Sequence, residues 1–159
     1  MLCEHEKAIS DYTLAIMFDP MDAMAYCKRG FAYGHLGDFN KAITDYTKAL
    51  MLNPKDAKTY CNRGFVHAMK GDHDKAIPDY IRSIMLNPMS AMTYYNRGFS
   101  YGRTGEHEKS VSDFTMAIKL RPKYAAAYYN RGVMHGKNGE HEKAESDFRK
   151  ARELGLCDI

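Results

Sequence analysis

The chain has 159 residues, 45% of them hydrophobic, and a formal charge of +3 from 23 Lys and Arg against 20 Asp and Glu. The charges are mixed along the whole length, unlike the one-signed stripe of a nucleic-acid binder, and no run of eighteen apolar residues is present to span a membrane. The opening Met1-Leu2-Cys3-Glu4-His5-Glu6 turns charged at once, unlike a secretory signal peptide.

In chain order, the first predicted element is a helix over residues 4–18, followed by Pro20. Pro20 begins a series with Pro54, Pro88 and Pro122 at steps of 34 residues. A period of that length marks one small unit stacked repeatedly in place of a single globular core. The chain therefore reads as one solenoid over 1–159, with a half repeat at 1–22 and four full repeats at 23–56, 57–90, 91–124 and 125–158.

Residues 54–87 show the unit. Pro54 and Asp56 open a first helix running to about Met69, since proline is tolerated in a first turn. Gly71 ends it in the left-handed conformation. Asp72 starts a second helix from His73 to about Leu86, which Asn87-Pro88 ends. Two helices of about 14 residues, each roughly 21 Å long, joined by a short turn make an antiparallel hairpin. Ala57, Tyr60 and Gly64 on the first helix and Ala76, Tyr80, Ser83 and Leu86 on the second are predicted to face inward. Pro78 falls inside the second helix, where the other repeats carry Thr44, Ser112 and Ser146; it is expected on the solvent side with a slight bend.

Other positions keep the same step. Gly30, Gly64, Gly98 and Gly132 each cost about 1 kcal/mol in a helix interior, and a ladder of four implies helices too close for a side chain. Arg29, Arg63, Arg97 and Arg131 each precede an aspartate by 16 residues (Asp45, Asp79, Asp113, Asp147), which predicts a charge-assisted bond between helices. His5, His73, His107 and His141 also recur, with Phe39 breaking the series. They stand one repeat apart and cannot converge on an ion, so no metal and no cofactor is expected. Cys27 and Cys61 occupy equivalent places on neighbouring helices, whose axes lie roughly 8–10 Å apart. That is too far for a disulfide, and free thiols suit a reducing, cytoplasmic setting.

The two ends differ. Ile43, Ile77 and Val111 give way to Glu145, and Leu50, Ile84 and Ile118 to Arg152, so helix 141–154 is expected to act as a polar cap. The half repeat lacks a hairpin partner. Ala8, Tyr12 and Ala15 are therefore expected to be short of contacts and to form a self-association edge, unless the chain is part of a longer array.

In residues 23–56, Tyr26, Gly30, Tyr33, Ala42, Tyr46, Ala49 and Pro54 stand at the offsets of the tetratricopeptide repeat, and the following units repeat them with Ser83, Ser110, His67 and His135 as small departures. The chain thus resembles that family in a Tyr-x-Asn-Arg-Gly variant. The resemblance implies an all-α, right-handed superhelical solenoid of antiparallel helix hairpins, whose first helices line a concave groove. On that face it places Met24, Cys27, Lys28 and Phe31, then Lys58, Cys61, Asn62 and Phe65, then Met92, Tyr95, Asn96 and Phe99, then Ala126, Tyr129, Asn130 and Val133. Asn62, Asn96 and Asn130 fall where some members use an asparagine ladder on a peptide backbone; an amide both donates and accepts. The carboxylate clamp of chaperone-binding members is not expected, because Phe31, Phe65 and Phe99 replace one clamp asparagine and Met92 and Ala126 a clamp lysine.

The expected function is a non-catalytic scaffold that binds a peptide segment or a partner helix in the groove, through Lys28, Phe31, Asn62, Phe65, Tyr95, Asn96, Phe99, Tyr129 and Asn130. The alternative is a structural module that self-assembles through its N-terminal helix. Catalysis is not expected: no Ser/His/Asp set, metal cluster or glycine-rich phosphate loop is found, and Gly98 and Gly102 lie within a helix.

Overall fold

A computed structural model describes residues 2–156, with side chains from residue 4 onward. The side chain of Cys3 and all of Cys157 fall outside that range. The described residues form nine helices: α1 (Leu2–Phe18), α2 (Ala23–His35), α3 (Phe39–Leu52), α4 (Ala57–Met69), α5 (His73–Leu86), α6 (Ala91–Arg103), α7 (His107–Leu120), α8 (Ala125–Lys137) and α9 (His141–Glu153). They group into two compact units, Met1–Leu86 and Asn87–Ile159. In the first, α2–α3 and α4–α5 are antiparallel hairpins, α1 packs on α2 and α3 on α4; in the second, α6–α7 and α8–α9 are hairpins and α7 packs on α8.

Local chemistry fixes the helix ends. Asp22 accepts hydrogen bonds from the backbone of Met24 and Ala25, and Asp56 from Lys58 and Thr59, satisfying orphan N–H groups of α2 and α4. Helix α4 begins at Ala57, so Pro54 lies in the preceding turn and not in the first helical turn. Gly71 closes α4 at φ +84°, and Asp72 N–H bonds back to the His67 carbonyl at 2.9 Å, the six-to-one bond of a left-handed cap. Pro78 sits within α5 and is exposed.

The core is thin and runs along the hairpin seams. In the first unit Ala42, Tyr46 and Val66 form one cluster and Cys61, Ala76 and Tyr80 another. In the second, Phe114, Ala117, Ala127 and Ala151 are buried. The inward face of α4 differs from the expected one. Thr59, Cys61, Gly64 and Val66 are buried, whereas Ala57 and Tyr60 are only half-buried. Tyr60 instead lies under the Arg63 guanidinium, 5.8 Å from ring centroid to Cζ. On α5, Ala76, Tyr80 and Ser83 are buried as expected, but Leu86 is half-buried.

The glycine ladder has the predicted cause. A Cβ on Gly64 would stand 2.9 Å from the Tyr80 ring and 3.1 Å from the Ala76 carbonyl. A Cβ on Gly132 would come within 2.8 Å of Phe148. Helix crossings this close also let Ser83 Oγ donate to the Ala57 carbonyl at 2.8 Å and Ser110 Oγ to the Gly98 carbonyl at 2.6 Å, so serine at these positions bridges its hairpin.

All four arginine–aspartate pairs form. Each arginine donates through Nε and Nη2 to both carboxylate oxygens of its aspartate at 2.7–2.8 Å, fastening first to second helix within a hairpin. Arg29, Arg63 and Arg131 also donate through Nη1 to Thr13, Thr47 and Thr115 at 3.1 Å, which ties each of those hairpins to the helix before it. The carboxylate bonds hold these three guanidinium groups above their ordinary pKa, against the opposing effect of burial.

Candidate functional site

The residues predicted for recognition fall on α2 and α4 in the first unit and on α6 and α8 in the second. Along α2, Met24, Lys28 and Phe31 recur at steps of three and four residues and stay exposed, while Ala25, Gly30 and Ala32 turn inward. On α4, Lys58 and Phe65 are likewise exposed, with Asn62 half-buried beside them. Phe31 and Phe65 are 46% and 49% exposed, high for phenylalanine in a chain with so little core.

Two cavities open on this face. The first, about 280 Å³, is lined by Phe31, Gly34 and His35 of α2, Phe39 and Tyr46 of α3, and Asn62, Phe65, Val66 and Met69 of α4. The second, about 370 Å³, is lined by Met24, Cys27, Lys28 and Phe31 of α2, Ala49 of α3, and Asp56, Lys58 and Asn62 near the start of α4. Phe31 and Asn62 belong to both, so they form the ridge between two mainly apolar hollows. At the edge of the first, His35 meets Phe31 edge-on at 4.4 Å between centroids and stacks on His5 of α1 at 4.8 Å. Lys28, Phe31, Asn62 and Phe65 are therefore brought together. Cys61 is not among them: it is 5% exposed and packs on Ala76 and Tyr80. Cys27 is partly open, and its Sγ lies 3.0 Å from the Thr59 hydroxyl oxygen, whose proton goes to Asp56. Burial lifts the Cys27 thiol above its ordinary pKa although the Thr59 hydroxyl and the two lysines pull the other way, so the group is a neutral thiol at neutral pH.

The second unit handles the same positions differently. The Tyr95 ring lies 4.8 Å from Tyr124 and 5.6 Å from Phe114 between centroids. Its hydroxyl accepts from Asn130 Nδ2 at 3.0 Å, and the same amide donates to the Ala126 carbonyl at 2.9 Å. Tyr129 leans on Phe148 at 5.5 Å. Phe99 is exposed and Asn96 half-buried. Tyr95, Asn130 and Tyr129 are thus tied into the packing of their own unit.

Met69 and His35 line the first cavity and were not among the expected residues; each follows an exposed phenylalanine by four positions, one helical turn along the same face. Of the recurring second-helix rings, His5, Phe39, His73 and His107 are half-buried, but His141 is exposed. Among the described residues no group of three or more His, Cys, Asp or Glu converges as metal ligands would. No helix among them is long and apolar enough to cross a membrane.

Comparisons with known proteins agree on the repeat. One tetratricopeptide repeat model matches residues 23–56, 57–90 and 125–154, and a second model of the same repeat matches 92–124. A crystal structure of MamA is 29% identical in sequence with a TM-score of 0.90, over 94% of this chain and 88% of that one. MamA from Desulfovibrio magneticus RS-1 is 25% identical with a TM-score of 0.90, over 94% and 85%. YrrB, described as a TPR protein with an unusual peptide-binding site, is 25% identical with a TM-score of 0.85, over 97% and 79%. No curated protein sequence matches the chain.

Proposed function

The chain belongs to the tetratricopeptide repeat family, and from that premise we propose that it is an interaction scaffold without chemistry of its own, holding a peptide segment or a partner helix against the face made by α2 and α4. The observation that carries this reading is the pair of adjoining apolar hollows on either side of Phe31 and Asn62. Two exposed aromatic rings at equivalent repeat positions supply rigid anchors of the kind that dominate interface energies. The Asn62 amide between them can pair with a peptide backbone as donor and acceptor. YrrB, similar over nearly the whole chain, carries a peptide-binding site. In the second unit Tyr95, Asn96, Phe99, Tyr129 and Asn130 lie on α6 and α8, and of these Phe99 is exposed for contact with a partner. A reducing cytoplasmic setting goes with this reading, since Cys27 is a free thiol.

Selection of peptides from a displayed random library on the full chain, followed by titration of the best binder, tests the proposal. Phe31→Ala with Phe65→Ala is expected to weaken binding at least roughly thirtyfold, the loss of about 2 kcal/mol of anchor contact, with unchanged helical content. A library that yields no binder, or a double variant that binds like the parent, contradicts it.

A second reading, self-assembly through α1, is favoured by a separate observation. Ala8, Tyr12 and Ala15 are half-buried, whereas Ala42, Tyr46 and Ala49 at the same positions of α3 are all but completely buried. Leu14, Met17 and Phe18 on the same helix are more than half exposed.

A further inference from the structure

Cys27 and Tyr95 occupy one repeat position, as do Asn62 and Asn130, and Asp56 and Tyr124. In the second unit the space beside the first helix is filled from within. The Tyr95 ring lies against Tyr124, and its phenol accepts a hydrogen bond from the Asn130 amide at 3.0 Å. In the first unit a thiol and a carboxylate stand in place of those two rings. They leave a hollow of about 370 Å³ that Cys27 and Asn62 both line. The protein therefore displays, in its own second unit, the group that fits this space and the bond that group makes.

Resting on the reading of the α2–α4 face as a peptide surface, we propose that this hollow is a pocket for a tyrosine side chain of the partner, with an acidic residue beside that tyrosine held by Lys28 and Lys58. The ring enters between Met24, Phe31 and Ala49, and its hydroxyl takes the Asn62 amide proton as Tyr95 takes that of Asn130. A phenylalanine fits the same walls but covers the Asn62 amide without pairing it. A site built around a hydroxyl discriminates strongly against the analogue lacking one for that reason. The charge at the mouth selects the neighbours. Lys28 and Lys58 are exposed there, while the Asp56 carboxylate is committed to the N-terminus of α4, accepting from Lys58 N–H, Thr59 N–H and the Thr59 hydroxyl at 3.0, 3.3 and 2.6 Å. Two lysines against one engaged carboxylate leave the rim positive, complementary to an acidic peptide.

The test is titration of the isotope-labelled full chain with three capped tripeptides, Asp-Tyr-Asp, Asp-Phe-Asp and Lys-Tyr-Lys, followed by NMR. Asp-Tyr-Asp is expected to shift the Asn62 side-chain amide and the Lys28 and Lys58 backbone signals, and to bind roughly tenfold tighter than Asp-Phe-Asp. Lys-Tyr-Lys is expected to bind more weakly than Asp-Tyr-Asp. Cys27→Tyr, which installs the ring of the second unit, is expected to abolish the shifts; Asn62→Ala, which leaves the hollow open, is expected to keep binding but erase the preference for tyrosine over phenylalanine. Equal affinity of the parent chain for Asp-Tyr-Asp and Asp-Phe-Asp, or no shift at Asn62 with Asp-Tyr-Asp in excess, overturns the proposal. Should a library-selected peptide nonetheless perturb Phe31 and Phe65, the tyrosine pocket alone is rejected; should no selected peptide do so, the peptide-surface reading fails with it.

Discussion

Each of the four arginines stands directly before the repeat glycine and carries a group that must be paired if it is to be covered. The pairing is complete. In every hairpin the fork of the guanidinium meets both oxygens of a carboxylate that is nearly buried, and a tyrosine three residues earlier on the same helix lies under the cation at 5.6–5.8 Å. Because the aspartates are 5–8% exposed at the side chain, removing their charge leaves the guanidinium inadequately matched in a site water hardly reaches. Asp113→Asn is accordingly expected to cost roughly 2–3 kcal/mol and to lower the melting temperature by roughly 4–12 °C, measured by circular dichroism; an unchanged transition would show that the ladder is not structural. These pairs were legible in the sequence because both partners recur at a constant separation of 16 residues. The third bond, to Thr13, Thr47 and Thr115, keeps the same separation of 16 residues in three of the four repeats but was not foreseen, since threonine on a helix surface ordinarily reads as solvated. Position 81 carries isoleucine in that series.

Among the helices, α1 is the one whose repeat face is least covered. It packs on α2 through Thr13 and the His5–His35 stack, yet Leu14, Met17 and Phe18 face solvent. If that surface drives association, sedimentation of the parent chain should show a mass that rises with concentration, and Leu14→Glu with Phe18→Glu should remain a monomer. A parent chain that stays monomeric at every concentration reached would remove the second reading. Helix boundaries followed closely from glycine, proline and capping residues, because each acts through backbone geometry that a sequence states directly. Faces were harder. On α4 the helical period alone cannot separate Tyr60, which supports Arg63, from Thr59, which caps the helix with Asp56 and lies against the Cys27 sulfur; that choice is made by the neighbouring hairpin. The same limit hid the burial of Cys61.

For the molecule as a whole, the repeat supplies one frame and the side chains within it decide what each stretch can do. The first unit carries hollows where the second carries Tyr95 and Tyr124 packed together. Sequence reading placed Cys27 and Tyr95 at one position of the same face but could not assign the empty space, which depends on the joint volume of Cys27, Asp56 and their neighbours across two hairpins. It also could not rank the faces, because apolar side chains are exposed on both. Met24 and Met69 line the cavities of the α2–α4 face, whereas Met17, Met51 and Met85 lie exposed at equivalent positions of the second helices α1, α3 and α5. Methionine is common on adaptable binding surfaces, so its methyl groups report directly on which surface is used. The decisive measurement is the methyl spectrum of the chain labelled at methionine, recorded as a library-selected peptide is added. The Met24 and Met69 signals are predicted to shift while Met17, Met51 and Met85 stay in place; shifts confined to Met17, Met51 and Met85 would contradict the account.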